Sequence, residues 1–167
     1  MDIMQAKEFI SGFKLTDNTL LGSACKGESG IPNGTHYGVS SQQIVCNLKR
    51  LFVNCVEPIQ RKFPNMRLTS TWRSETVNRK YNGSKTSHHL RGMAADMQFD
   101  GFNRTKTYET AIELAKMLPA YTQIILEYKG QSTWIHVSYD AADLKCQSLT
   151  IDAATNTTLK SGGFLLR

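Results

Sequence analysis

Two short stretches carry residue types that could do chemistry together. The first is Ser87-His88-His89-Leu90-Arg91-Gly92-Met93-Ala94-Ala95-Asp96, in which His89 and Asp96 lie seven residues apart across Gly92. A polar loop carries His89 and the start of a strand carries Asp96, so a turn at Gly92 can bring imidazole and carboxylate together. Both groups are good Zn2+ donors, at ~2.0–2.2 Å. A His and an Asp at that spacing are weak evidence alone. The second stretch is Trp134-Ile135-His136-Val137, a lone His in an apolar strand. Taken singly, it reads as a core histidine satisfied by a backbone carbonyl. Taken with His89 and Asp96, it completes a His/Asp/His set. Three protein ligands plus a position open to water is the pattern of catalytic rather than structural zinc.

The elements that must position these groups follow from hydrophobic period and turn chemistry. Residues 41–62 repeat apolar positions at three- and four-residue steps (Ile44, Val45, Leu48, Leu51, Phe52, Cys55, Val56, Ile59), which predicts a core helix capped by Ser40 or Ser41 and closed before Pro64. Residues 67–72 and 94–99 read as strands, 74–81 as a short helix capped by Ser74, 83–89 as a polar loop, and 107–118 as a second amphipathic helix. Residues 123–128 and 133–139 read as a hairpin around Lys129-Gly130-Gln131-Ser132. The tail from Asp140 alternates weakly and is read as at most an added edge strand. Helices mixed with antiparallel closing strands predict an α+β fold, with a small antiparallel sheet packed against helices.

Composition bounds the function classes. The 167 residues suit one domain, read as 1–167 with its motifs in 67–139. No apolar run approaches the ~18 residues of a membrane helix. Met1-Asp2-Ile3-Met4-Gln5-Ala6-Lys7-Glu8 lacks a basic segment followed by an apolar one, so no signal peptide is expected. Cys25, Cys46, Cys55 and Cys146 show no CxxC spacing and are expected as free thiols. The net charge of +6 favours an anionic partner, such as a nucleic acid, a lipid surface or a bacterial wall. The basic residues are scattered and form no nucleic-acid motif, so no nucleic-acid partner is expected.

Ser87-x-His89-x-x-Gly92-x-Ala94-x-Asp96, followed by Trp134-Ile135-His136-Val137, resembles the signature of the M15 zinc peptidases. That family includes D-alanyl-D-alanine carboxypeptidases, dipeptidases and phage L-alanyl-D-glutamate endopeptidases. Thr69-Ser70-Thr71-Trp72-Arg73-Ser74 is similar to the family's SGYRS strand end, and Val77-Asn78 to the VN after it. The resemblance runs from about Leu48 to Tyr139. It implies a hedgehog/D-Ala-D-Ala-peptidase-like fold with one Zn2+ on His89, Asp96 and His136. It also implies that Arg73 faces the substrate, unless it forms a structural salt bridge, and that Ser87 contacts substrate or orients its loop. His88 falls at a variable position and His36 in no motif, so neither is read as a ligand. The implied activity is hydrolysis of peptidoglycan stem peptides, as a carboxypeptidase or an endopeptidase. The implied setting is a monomer made in the cytoplasm and acting at the cell wall in phage lysis or from a virion.

The chain departs from the family at the general base. Many members carry Asp or Glu three residues before the last His, where this chain has Thr133. The replacement is found by strand geometry. If the hairpin turns between Gly130 and Gln131, Glu127 pairs with Trp134 and Ile125 with His136. Glu127 and His136 are then diagonal neighbours on one face, ~7–8 Å apart, while Ile124, Leu126, Ile135 and Val137 form an apolar opposite face. A one-residue slip would send Glu127 away from His136. Glu127, in an LILE-like context shared with some relatives, is therefore read as the base against the alternative of a surface glutamate. The Thr133 departure also leaves a competing expectation, a catalytically inactive zinc-containing module that binds the cell wall.

Overall fold

The computed structural model describes residues 12–167. The expectation drawn from Met1 to Glu8 lies outside them. A four-residue helix, α1 (Leu21–Ala24), precedes a short hairpin of β1 (Thr35–His36) and β2 (Val39–Ser40). The hairpin turns on Tyr37 and Gly38, both at positive φ, which suits the right-handed twist of paired strands. Ser40 then caps α2 (Ser41–Leu51), its hydroxyl accepting the Gln43 N–H at 3.2 Å. The long helix predicted over 41–62 is present with one irregularity. Phe52–Val56 opens into a π-turn, in which the Glu57 N–H reaches back to the Phe52 carbonyl, before α3 (Glu57–Lys62) continues. The cause lies in Pro58, which has no N–H and whose ring clashes with the preceding turn.

The strands follow as β3 (Met66–Ser70), β4 (Ala94–Phe99), β5 (Gln123–Lys129), β6 (Ser132–Ser138), β7 (Gln147–Asp152) and β8 (Thr157–Ser161), interrupted by α4 (Glu75–Lys80) and α5 (Arg104–Met117). All six form one sheet in the order β3-β4-β6-β5-β7-β8. The fold is thus α+β, but its main sheet is mixed, larger than the small antiparallel sheet expected. The tail supplies the difference. Ser148-Leu149-Thr150-Ile151 is rich in strand formers, and β7 joins β5 in parallel before Asn156, at φ 55, turns the chain back into β8. No helix among the described residues is long and apolar enough to cross a membrane.

Side-chain alternation gives the sheet two different faces. Ala95, Met97, Ile124, Leu126, Ile135 and Val137 are fully buried, and they share the core with Ile44, Leu48, Leu51, Phe52 and Val56 of the long helix. The opposite face carries Asp96, Ile125, Glu127, Trp134 and His136. The β5–β6 register is the one predicted: Glu127 opposes Trp134 and Ile125 opposes His136. All four cysteines are free. Burial pushes the Cys25 and Cys55 thiols up to about 12.

Gly92 ties the helix layer to the other face. It ends a 3₁₀ turn (His88–Arg91) in the left-handed region at φ 69. A Cβ there would lie 2.7 Å from the Ile44 carbonyl and 2.9 Å from its side chain. The Asn47 amide, buried on α2, donates to the Arg91 carbonyl at 2.9 Å and holds the turn down. Gly92→Ala combines a left-handed penalty with overpacking, a loss of about 2–4 kcal/mol. A thermal melt of the metal-free variant is expected to show a drop on the order of 5–15 °C. An unchanged melting temperature would contradict this account of the turn.

Candidate metal centre

Asp96 and His136 stand directly opposite each other on β4 and β6. Cross-strand partners have their Cβ atoms ~4.5–5.5 Å apart, so pairing alone brings carboxylate and imidazole into contact. The third residue, His89, arrives on the 3₁₀ turn through a reciprocal pair of backbone contacts. The Arg73 N–H donates to the His89 carbonyl at 3.0 Å, and the His89 Nδ1–H donates to the Thr71 carbonyl. Thr71 is itself pinned, its hydroxyl donating to the Ala24 carbonyl at 2.7 Å and accepting the Lys26 N–H at 3.1 Å.

Three donor atoms converge as a result. His89 Nε2 lies 3.1 Å from Asp96 Oδ1 and 3.1 Å from His136 Nδ1, and His136 Nδ1 lies 2.9 Å from Asp96 Oδ1. All three residues are buried. With its Nδ1–H committed to Thr71, His89 turns an Nε2 lone pair inward, the backbone contact that orients metal-binding histidines. Burial pushes the His89 imidazole below its usual range, which favours the neutral form a metal needs. Burial acts to raise the Asp96 carboxyl, but the imidazoles of His89 and His136 outweigh it and hold that carboxyl well below the usual carboxylate range. The three atoms are close enough to share one cation in place of the proton that a His136 Nδ1–H would otherwise share with Asp96 Oδ1. Donors around a tetrahedral zinc sit roughly 3.3–3.5 Å apart, so the set fits that ion after a small outward adjustment.

The remaining predicted residues occupy the same cleft, of about 1050 Å³. Glu127 projects from β5 on the His136 side of the sheet and is half-buried. Burial, and then the charge of Asp96, push its carboxyl up to about 7. Thr133 lies on the opposite side of β6, because 133 and 136 differ in parity along a regularly paired strand. A carboxylate at 133 would therefore point away from the donors, a conclusion available from the alternation that selected Glu127. Arg73 is engaged at two points. Its Nη2 donates to Asp96 Oδ2, and its Nε donates to Ser70 Oγ at 2.8 Å. It thus serves Asp96 as an ion-pair partner while lining the cleft. The Ser87 hydroxyl accepts the His89 N–H at 3.3 Å and so caps the 3₁₀ turn. His88 lines the cleft and His36 packs edge-on against Trp72, with ring centroids 4.9 Å apart; neither joins the three donors.

Sequence reasoning missed Thr71 and Asn78. Asn78 is buried and donates to the Gly83 and Ser84 carbonyls at 3.1 and 3.0 Å, shaping the loop that leads to Ser87. Its position after the helix cap, inside the VN pair, was the available signal.

Glu127 gives a stability test free of any activity. Its carboxyl is raised from 4.5 to about 7 in the folded chain, so ionising it costs folding free energy as pH rises through that window. Below pH 4.5 it is protonated in both states and costs nothing. In metal-free protein, Glu127→Gln is therefore expected to stabilise at pH 8 by on the order of 2 kcal/mol, several degrees in Tm, and to leave stability at pH 4 unchanged. Equal melting temperatures at pH 8 would contradict the environment assigned to Glu127.

A family model described as Peptidase M15 matches residues 15–138. No curated protein matches the chain significantly. The matched segment contains His89, Asp96, His136, Glu127 and Arg73, and it stops before β7 and β8. Peptidases of this family depend on zinc, in keeping with the donor set. With a match that spans most of its length and all three converging donors, the chain belongs to the peptidase M15 family.

Proposed function

We propose that the protein is a zinc-dependent peptidase that hydrolyses peptide bonds in peptidoglycan stem peptides, as a D,D-carboxypeptidase or an L-Ala-D-Glu endopeptidase. The observation that carries this reading is the convergence of His89 Nε2, Asp96 Oδ1 and His136 Nδ1 within 3.1 Å, at the floor of an open cleft. One zinc held by these donors would acidify a water and polarise a carbonyl. Glu127 stands across the strand pair as general base. Burial raises its carboxyl, which makes it a stronger base for taking a proton from water and returning it to a leaving amine. Arg73 pairs with Asp96 Oδ2 and lines the cleft beside the donors, where its charge steadies the oxyanion that develops on the substrate at the reacting carbonyl. Ser87 positions His89 and borders the substrate.

The reading extends to the whole chain. The described residues are one domain of the hedgehog/D-Ala-D-Ala-peptidase-like type, acting as a monomer. The +6 charge suits approach to a polyanionic wall, and the setting is phage lysis or virion-borne delivery. The competing module without activity rested on Thr133. Glu127 supplies the carboxylate whose absence from 133 favoured it.

Purified peptidoglycan digested by the zinc-loaded protein is expected to release new amines. A chelator stops that release, and added zinc restores it. Glu127→Gln is expected to lower kcat/KM by about 10²–10⁴-fold with zinc content unchanged. Because the base must be ionised, wild-type activity should rise with pH as the Glu127 carboxyl loses its proton. Amine release that resists the chelator, or a fully active Glu127→Gln, would overturn the assignment.

A further inference from the structure

The cleft does not end at the three donors. Across the sheet its floor passes from Asp96 on β4 to His136 and Trp134 on β6, then to Ile125 and Glu127 on β5, and reaches Ile151 on β7. Glu127 and Ile151 are paired neighbours on β5 and β7. Three inter-strand steps separate β4 from β7, about 14 Å. An extended peptide covers that distance with about four residues at ~3.4 Å each. Thr69 and Ser70 of β3 line the cleft beyond Asp96, so the donors and Glu127 lie between its two ends.

Each end has its own wall. At the β3 end stand Gly27, Glu28 and Ser29 with Tyr81. Glu28 clamps this wall by accepting from Lys80 Nζ at 2.7 Å and from the Tyr81 hydroxyl at 2.5 Å. At the other end stand Ile151, Ala153, Ala154 and Asn156, from β7 and the turn into β8. This second wall lies beyond residue 138, outside the segment that matches the family. At about 1050 Å³ the cleft is also at the top of the range that encloses a drug-sized ligand, far larger than one terminal residue needs.

Charge points the same way. Releasing a C-terminal residue calls for a cation free to hold the terminal carboxylate. Among the described residues two cations line the cleft. Arg73 is already paired with Asp96, and Lys129 stands exposed on the rim rather than beside the donors.

We propose that the β7–β8 hairpin is the second wall of an elongated substrate cleft, and that the protein acts as an endopeptidase on a peptide extending past both sides of the cleaved bond. The inference rests on the peptidase reading above. Hydrolysis adds the water oxygen to the carbonyl carbon and breaks the C–N bond. The proton goes to the departing amine, and each product carries further residues.

The test uses zinc-loaded full-length protein and two stem peptides of one sequence, one ending in a free carboxylate and the other in an amide. Mass spectrometry is expected to find the same internal bond cut in both, at rates within about threefold. Ala154→Trp narrows the far end from an exposed turn, and Ile151→Ala removes an apolar contact from its floor. Each is expected to raise KM by about tenfold or more, with kcat, zinc content and melting temperature close to wild type. In the Glu127→Gln background, calorimetry should find the two peptides binding with similar affinity, and both more weakly once Ala154→Trp is added. Release of a terminal residue from the free acid alone would overturn the inference and leave the peptidase reading standing. Wild-type KM and affinity in both hairpin variants would likewise overturn it. Cleavage of neither peptide would overturn the peptidase reading, and this inference with it.

Discussion

The structure depends on the close approach of three atoms that can turn lone pairs toward one point and share a single cation there. Asp96 Oδ1, His89 Nε2 and His136 Nδ1 are within 3.1 Å of one another in a buried setting. The surrounding contacts enforce this meeting. Cross-strand pairing sets Asp96 against His136, and Thr71 and Arg73 stitch the His89 turn to the end of β3. Gly92 and Asn47 tie that turn to α2. Buried polar groups held this firmly are expensive to leave uncompensated. Arg73 offsets part of that cost through Asp96 Oδ2, and a divalent cation would offset the rest.

One set of strands does two jobs because side chains alternate. On β4, Ala95, Met97 and Phe99 enter the core while Asp96 faces the cleft. On β6, Ile135 and Val137 enter the core while Trp134 and His136 face the cleft. The rigidity of the packed face is thereby passed directly to the donors, with no intervening loop for two of the three. The same alternation fixes Glu127 on the His136 side and excludes Thr133 from it.

Much of this was legible from local pattern. The 3.6-residue period revealed the long helix, and the four residues between two apolar runs gave the β5–β6 register. The His, Asp and His types pointed to a metal. What could not be read was set by contacts distant in sequence. The pairing of Asp96 with His136 depends on which strands become neighbours. The commitment of Arg73 to Asp96 depends on a strand end and a strand middle meeting. The parallel addition of β7 follows from burying Leu149 against the existing sheet, while its sequence alone shows only weak alternation. The π-turn had a local cause in Pro58, and the apolar period passed over it because the helix continues with its face intact.

The claim at the centre is that these three side chains hold a metal ion with a position to spare. Zinc-edge X-ray absorption on protein carrying one equivalent of zinc tests it directly. The account predicts two imidazole nitrogens and carboxylate or water oxygens at ~2.0–2.2 Å, with one imidazole lost in His136→Ala. Sulfur scattering at ~2.3 Å, or a spectrum unchanged by that substitution, would place the metal elsewhere and contradict it.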